Sequence, residues 1–437
     1  MSQRPYSVLR HRDFRLLWLS QLVSLTGSQM QTVALHWHVY LLTRSPLALG
    51  ALGLTRVVPI IVFSLFGGVS ADRFDRRRVM FRAQTVMLLA SAALAALTLG
   101  DRASLALLYG ANALLAAATA FDNPARQALV PRLVPALEVP AALSLNLTMF
   151  HAAFIGGPAL AGLIIAGVGA PAGGPHSLVG AVAAGDTARL ALIYLLNAAS
   201  FMGVLLALLL MHTSGAVAFE GPGAASPLGA LRDGLRFVFR TPIMVWSTGL
   251  DFVATFFAGS LSLLPIFADQ VLHAGAAGYG WLVAAPAIGA LLGSFYTSVR
   301  HLPPRQGRIL LWSVAAYGGA TVAYGLSRSY WLTFLALAFS GLADLVSTVI
   351  RQTLRQLLTP DALRGRMTSV NMIFFMGGPQ LGELEAGLVA SLFASAAIGA
   401  SVSVVSGGIA TLALAGVVAA AAPVVRDYVQ PDMTPSG

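Results

Sequence analysis

Gly68-Val69-Ser70-Ala71-Asp72-Arg73-Phe74-Asp75-Arg76-Arg77-Arg78 sets six charges between two long apolar runs. Residues 47–71 before it and 79–99 after it are almost wholly apolar. Each run is long enough to cross roughly 30 Å of hydrocarbon at about 1.5 Å per residue. The charged link therefore lies in water. Arginine-rich links beside membrane helices stay on the cytoplasmic side, so this one orients the helices around it. Glycine admits close approach of a neighbouring helix, and Asp72 lies one turn beyond Gly68 on the same face, where it can meet a helix N-terminus or an arginine. That arrangement suits a latch.

Composition agrees. Of 437 residues, 57% are hydrophobic and 10% charged, against about 25% charged in soluble domains. The chain reads as an all-α polytopic membrane protein. There is no cysteine, so disulfides, thiol catalysis and cysteine-held metals are excluded. All 27 basic residues are arginine, and the formal charge is +10. With Arg56 inside a span and Arg44, Arg102, Arg189 and Arg328 on the far side, 22 of the 27 fall on the side of the opening stretch. Membrane topology alone accounts for that bias, so no nucleic-acid partner is implied and both termini are expected in the cytoplasm.

The expected spans are 14–40, 47–71, 79–99, 103–122, 141–168 and 188–211, then 242–268, 278–299, 309–326, 330–350, 367–394 and 400–422. Residues 1–13 carry mixed charge and no small-residue cleavage site, so the first apolar run is expected to remain as a span. Its polar residues, Gln21 and Gln31 among them, suggest that one side lines an aqueous cavity. A Gly- and Pro-rich outer loop is expected at 170–186, and a Gly/Ala/Ser/Pro linker at 213–226. Pro227 opens an amphipathic helix, with Arg232, Arg236 and Arg240 on one side and Leu231, Leu235 and Phe239 on another. Twelve transmembrane helices thus form two six-helix halves, 1–212 and 241–437, joined by a cytoplasmic segment at 213–240.

The halves repeat. Arg126-Gln127-Ala128-Leu129-Val130-Pro131-Arg132-Leu133-Val134-Pro135 matches Arg351-Gln352-Thr353-Leu354-Arg355-Gln356-Leu357-Leu358-Thr359-Pro360 at five of ten positions, at an offset of 225. Both copies sit between an even span and an odd one, so the halves have the same orientation. The opening stretch has a worn counterpart at 293–308, which keeps Arg300, Arg305 and Arg308 but no acid.

Ionisable groups within spans are costly and mark pathways or pairs. Asp251 and Glu383 lie deep in the seventh and eleventh spans, as cavity or proton-coupling candidates or as packing acids. Arg56 needs an anionic substrate or a structural acid, for which Glu383 is the candidate. Asp344 faces Arg351 two turns on, and His151 in the fifth span serves either coupling or packing. No phosphate loop, HExxH, GxSxG or metal-ligand spacing is present. Neither catalysis, a cofactor nor a metal is expected, and energy would have to come from an ion gradient.

The opening stretch resembles the signature loop of the major facilitator superfamily, with Asp75 where the commonest form has glycine. The context DRFDRRRV and the block TPDALRGRMTSVN at 359–371 are similar to the branch of bacterial exporters that includes the enterobactin exporter and is described as transmembrane secretion effectors. The run Gly156-Gly157-Pro158-Ala159-Leu160-Ala161-Gly162 resembles the fifth-span motif of superfamily exporters, where small residues let helices pack tightly. The resemblance implies alternating access of two halves in a bacterial inner membrane. Gly68, Asp72, Arg73, Arg76 and Arg77 would form the cytoplasmic gate; Gly156, Gly157, Pro158 and Gly162 would be packing positions. The substrate would be a siderophore-like or hydrophobic small molecule, exported against a proton or other ion. A macrolide-type drug exporter and a non-transporting sensor or assembly factor are the alternatives.

Overall fold

The computed structural model describes residues 5–167, 186–213, 215, 227–299, 303–359 and 364–429. The expected outer loop and linker lie almost wholly outside the described residues. Among those residues there are thirteen helices of more than ten residues and no strand. They are α1 (Arg12–Thr43), α2 (Pro46–Arg73), α3 (Arg76–Leu99), α4 (Leu105–Leu129), α5 (Val139–Ala166), α6 (Asp186–Leu210), α7 (Pro227–Arg240), α8 (Pro242–Ala258), α9 (Gly275–Val299), α10 (Gln306–Leu326), α11 (Tyr330–Leu358), α12 (Arg364–Ser391) and α13 (Ala396–Ala421). Ten stretches of the described chain are long and apolar enough to cross a membrane; α1, with its polar interior, is not among them.

Local chemistry sets the helix ends. Asp75 accepts hydrogen bonds from the backbone N–H groups of Arg77 (2.9 Å) and Arg78 (3.2 Å), which makes it the N-cap of α3. Its departure from the family loop thus has a local role. Ser104 caps α4, Ser395 caps α13, and Gly167 closes α5 with φ of 76°.

The seventh span is not the single helix expected over 242–268. It stops at Ala258, unwinds at Gly259-Ser260, and resumes as a 3-10 turn at Leu261–Leu263, a helical turn at Leu264–Ile266 and a π turn at Phe267–Val271. Pro265 lies in the first turn of the resumed segment, where its missing N–H leaves no helical hydrogen bond unmade.

The chain divides into two compact units. The first holds Met1–Arg44, Leu54–Pro227 and Ala274–Ala284, the second Ser45–Gly53, Leu228–His273 and Ala285–Gly437. In the first, α1 packs on α5 and α6, and α3 packs on α4 and α6. In the second, α8 packs on α12 and α13, and α10 packs on α11 and α13. The pattern of neighbours is the same in each. Phe14, Leu17, Met80, Leu129 and Leu145 build one apolar core, and Leu250, Leu310, Val314, Ile350 and Leu354 build the other.

Helix α7 buries Val238, with Leu235 and Phe237 beside it, against Met244 and Phe374. Phe239, which the sequence placed on the apolar side, is exposed, as are Arg232, Arg236 and Arg240. The buried stripe runs through positions 235 and 238, one residue off the expected register.

Small residues let backbones touch. A Cβ on Gly157 of α5 would stand 2.6 Å from Gln29 Cβ and 2.8 Å from Thr26 O of α1. A Cβ on Gly162 would stand 2.8 Å from Gly280 Cα of α9. Pro158 is buried between them. Gly156 is different: a Cβ there meets nothing within 4 Å among the described residues, so its expected packing role is corrected. Gly157→Val is expected to destabilise the purified protein by about 1–3 kcal/mol through overpacking, read as a lowered thermal midpoint, while Gly156→Val leaves that midpoint near wild type.

Candidate functional site

The gate candidates divide. Gly68, Asp72 and Arg73 fall on the last turns of α2, with their side chains outside the described part. Arg76 donates to Ala128 O at 3.0 Å and Arg77 donates to Leu209 O at 3.2 Å, so both bind carbonyls of their own unit. Around them the ends of the first unit are laced together. The Arg76 backbone N–H donates to Gly215 O at 3.1 Å. Asp13 Oδ2 accepts from the backbone N–H groups of His212 (3.0 Å) and Thr213 (2.7 Å) and from the Thr213 hydroxyl (2.6 Å). The buried Glu138 accepts from Arg10 and contacts His11 Nε2 at 3.1 Å. These contacts fix the chain leaving α6 to the start of α1.

Inside the first unit, Gln31 joins three helices. Its Oε1 accepts from Ser91 Oγ of α3 (2.8 Å) and from Asn197 Nδ2 of α6 (2.7 Å). It is buried at a helix junction, where the sequence had pointed to a cavity wall. His38 Nδ1 lies 3.2 Å from the Tyr194 hydroxyl, with both residues buried. Arg56 is half-buried on α2 and acts electrostatically on His36 of α1. His151 is half-buried on α5.

One buried acid escaped the sequence reading. The expected fourth span ended at Asp122, whereas α4 continues to Leu129 and buries it. Gln84 Nε2 donates to Asp122 Oδ1 at 2.9 Å, and Arg126 Nε lies 3.5 Å from Oδ2. The four-residue spacing of Asp122 and Arg126 was the signal available in the sequence.

A buried charge cluster lies in the second unit. Arg351, read as a loop arginine, belongs to α11 and is 10% exposed. Its guanidinium lies 2.8 Å from Asp251 Oδ1 on α8 and 3.7 Å from Asp344 Oδ1 on its own helix. It also donates to Ser347 Oγ, and to Thr348 Oγ1 at 2.9 Å. Two small pockets share Asp251 and Arg351. Glu383 is half-buried on α12; Cβ atoms on Gly50 and Gly53 of α2 would meet its carbonyl at 2.5 Å and its own Cβ at 2.9 Å. Asp251 and Asp344 thus share one arginine.

The architecture is that of a multi-pass membrane transporter. The bacterial homolog of the human lysosomal transporter Spinster, inward-facing and occupied, superposes with a TM-score of 0.73 at 18% identity, over 98% of this chain and 100% of that one. The nucleoside transporter NupG superposes with a TM-score of 0.67 at 13% identity, over 94% and 98%. Identities this low show the fold alone. Residues 3–433 match the family described as transmembrane secretion effector, and the chain belongs to that family of major facilitator transporters. Enterobactin exporter EntS of Shigella boydii serotype 18 (strain CDC 3083-94 / BS512) is 24% identical over 360 residues, covering 82% of this chain and 81% of its own. The EntS of Escherichia coli O81 (strain ED1a) has the same identity and coverage. These relatives and fold neighbours are transporters, not enzymes.

Removing one member of a buried ion pair leaves the other charge uncompensated, at a cost of about 3–5 kcal/mol. Arg351→Met is accordingly expected to lower the thermal midpoint strongly, and Asp251→Asn added to it to restore part of the loss. A double-mutant cycle in one detergent or nanodisc measures both.

Proposed function

We propose that the chain is a secondary active exporter that moves a siderophore-like or hydrophobic small molecule out of the cytoplasm by alternating access and proton antiport. In this reading twelve spans form two six-helix halves, 1–212 and 241–437, bridged by 213–240, in a bacterial inner membrane with both termini in the cytoplasm. The observation that carries it is the family match over nearly the whole chain. The enterobactin exporters among the relatives supply the substrate class. The 22 arginines on one side support the orientation.

Gly68, Asp72, Arg73, Arg76 and Arg77 serve as the cytoplasmic gate, and Arg56, Asp251, Glu383, Gln31, His151 and Asp344 as candidates for cavity or coupling roles. No ATP-binding loop is present, so the driving force is an ion gradient.

The test is efflux from reconstituted vesicles of a panel holding enterobactin and a macrolide, with and without an imposed pH gradient. Faster efflux of enterobactin with the gradient is expected. Efflux of the macrolide alone would move the protein to the drug exporters. Failure to move any compound, with Asp72→Asn indistinguishable from wild type, would favour a sensor or assembly factor.

A further inference from the structure

The sequence repeat puts Arg126 and Arg351 at equivalent positions, and each lines a pocket with a helix of its own unit, α1 for Arg126 and α8 for Arg351. Those helices contribute positions 14, 17, 18 and 21 in one pocket and 244, 247, 248 and 251 in the other, a constant offset of 230. The two pockets are copies of one construction, and Gln21 of the first stands where Asp251 stands in the second.

Their chemistry has diverged in two respects. The arginine of the first pocket takes its acid from its own helix, since Asp122 and Arg126 are four residues apart on α4. Sliding or tilting of α4 against its neighbours leaves such a pair intact. In the second pocket the position four before the arginine is Ser347; Arg351 keeps Asp344 of its own helix at 3.7 Å, but its nearer acid, at 2.8 Å, is Asp251 of α8, so the Asp251–Arg351 pair joins two helices and depends on their separation. The walls differ as well. Leu17 and Trp18 line the first pocket where Ser247 and Thr248 place hydroxyls in the second. A further pocket behind the same pair adds Thr255, Ser313 and Tyr317.

Arg351 also has somewhere to go. If Asp251 becomes neutral, the guanidinium keeps Asp344 at 3.7 Å and the Ser347 and Thr348 hydroxyls, so no buried cation is stranded. The charged groups acting on Asp251 are Arg351, Arg355 and Asp344, all of α11. From α10 the titratable neighbour in the shared pocket is Tyr317. Helix α13 carries no titratable residue, and none from α12 lines either pocket among the described residues.

Resting on the antiport reading above and deepening it, we propose that Asp251 and Arg351 are the proton-exchange site of the transport cycle, while Arg126 and Asp122 form a brace that stays closed. In the exchange step a hydronium ion entering the pocket breaks one O–H bond, leaving water, and its proton forms an O–H bond on the Asp251 carboxylate. The ion pair with Arg351 opens, and the guanidinium shifts to Asp344. Deprotonation reverses each move.

The test transplants the first unit's layout into the second. Asp251→Gln with Ser347→Asp gives Arg351 an acid four residues before it, as Arg126 has in Asp122, and an amide on α8. In vesicles loaded with enterobactin, wild-type efflux is expected to accelerate when a pH gradient is imposed. The double variant should keep exchange of enterobactin across the membrane while its ratio of efflux with and without the gradient falls to one. Asp122→Asn should lower the thermal midpoint and leave the wild-type ratio unchanged.

A double variant with the wild-type ratio overturns the assignment but leaves antiport standing, as does loss of coupling in Asp122→Asn. A wild type indifferent to the gradient overturns both. Should the double variant fail to fold, infrared difference spectra of the wild type between neutral and acid pH decide the matter. A protonated-carboxyl band that disappears in Asp251→Asn supports the site, and no such band overturns it.

Discussion

In hydrocarbon there is no water to satisfy a stray polar group, and this chain is built around that constraint. Backbone donors and acceptors close within helices. Many hydroxyls in the spans bond a carbonyl one turn back in their own helix, as Thr26 and Thr32 do, and some polar side chains tie neighbouring helices, as Gln31 does to Ser91 and Asn197. The hydrophobic effect does not separate helix–helix from helix–lipid contact, so close packing at glycine and these polar ties must hold the bundle. Gly157 against Thr26 and Gln29, and Gly378 and Gly382 against Thr255 and Phe256, make the same kind of approach in the two units.

Repetition followed by divergence accounts for much of the remaining chemistry. The two units share a neighbour pattern and a pocket geometry, yet they place their acids differently. An arginine braced along one helix is insensitive to how helices move. One held across two helices senses their separation, which is the property a transport cycle can use. Asp251 and Arg351 have that second arrangement.

The charged ends of the first unit show a different use of the same groups. Asp13, Asp75 and Glu138 each accept from backbone N–H groups or cationic side chains, and Gly215 fits against Asp75 and Arg77 where a side chain would clash. Arg76 and Arg77, suggestive of a gate in the sequence, are bound to carbonyls of α4 and α6 in this conformation. Charge density at a rim thus does local structural work alongside any gating.

The sequence by itself determined the solvent, the helical architecture, the family and the existence of a repeat. Long apolar runs, arginine bias and a ten-residue repeat are local, one-dimensional signals. It also paired Asp344 with Arg351, because seven residues is two helical turns. Only the tertiary structure decided that Arg351 meets Asp251, 100 residues away, that Gln31 is buried at a three-helix junction, and that the seventh span breaks at Gly259. Helical periodicity says which residues share a face but not which neighbour that face meets. The energy that selects the neighbour comes from side chains on other segments.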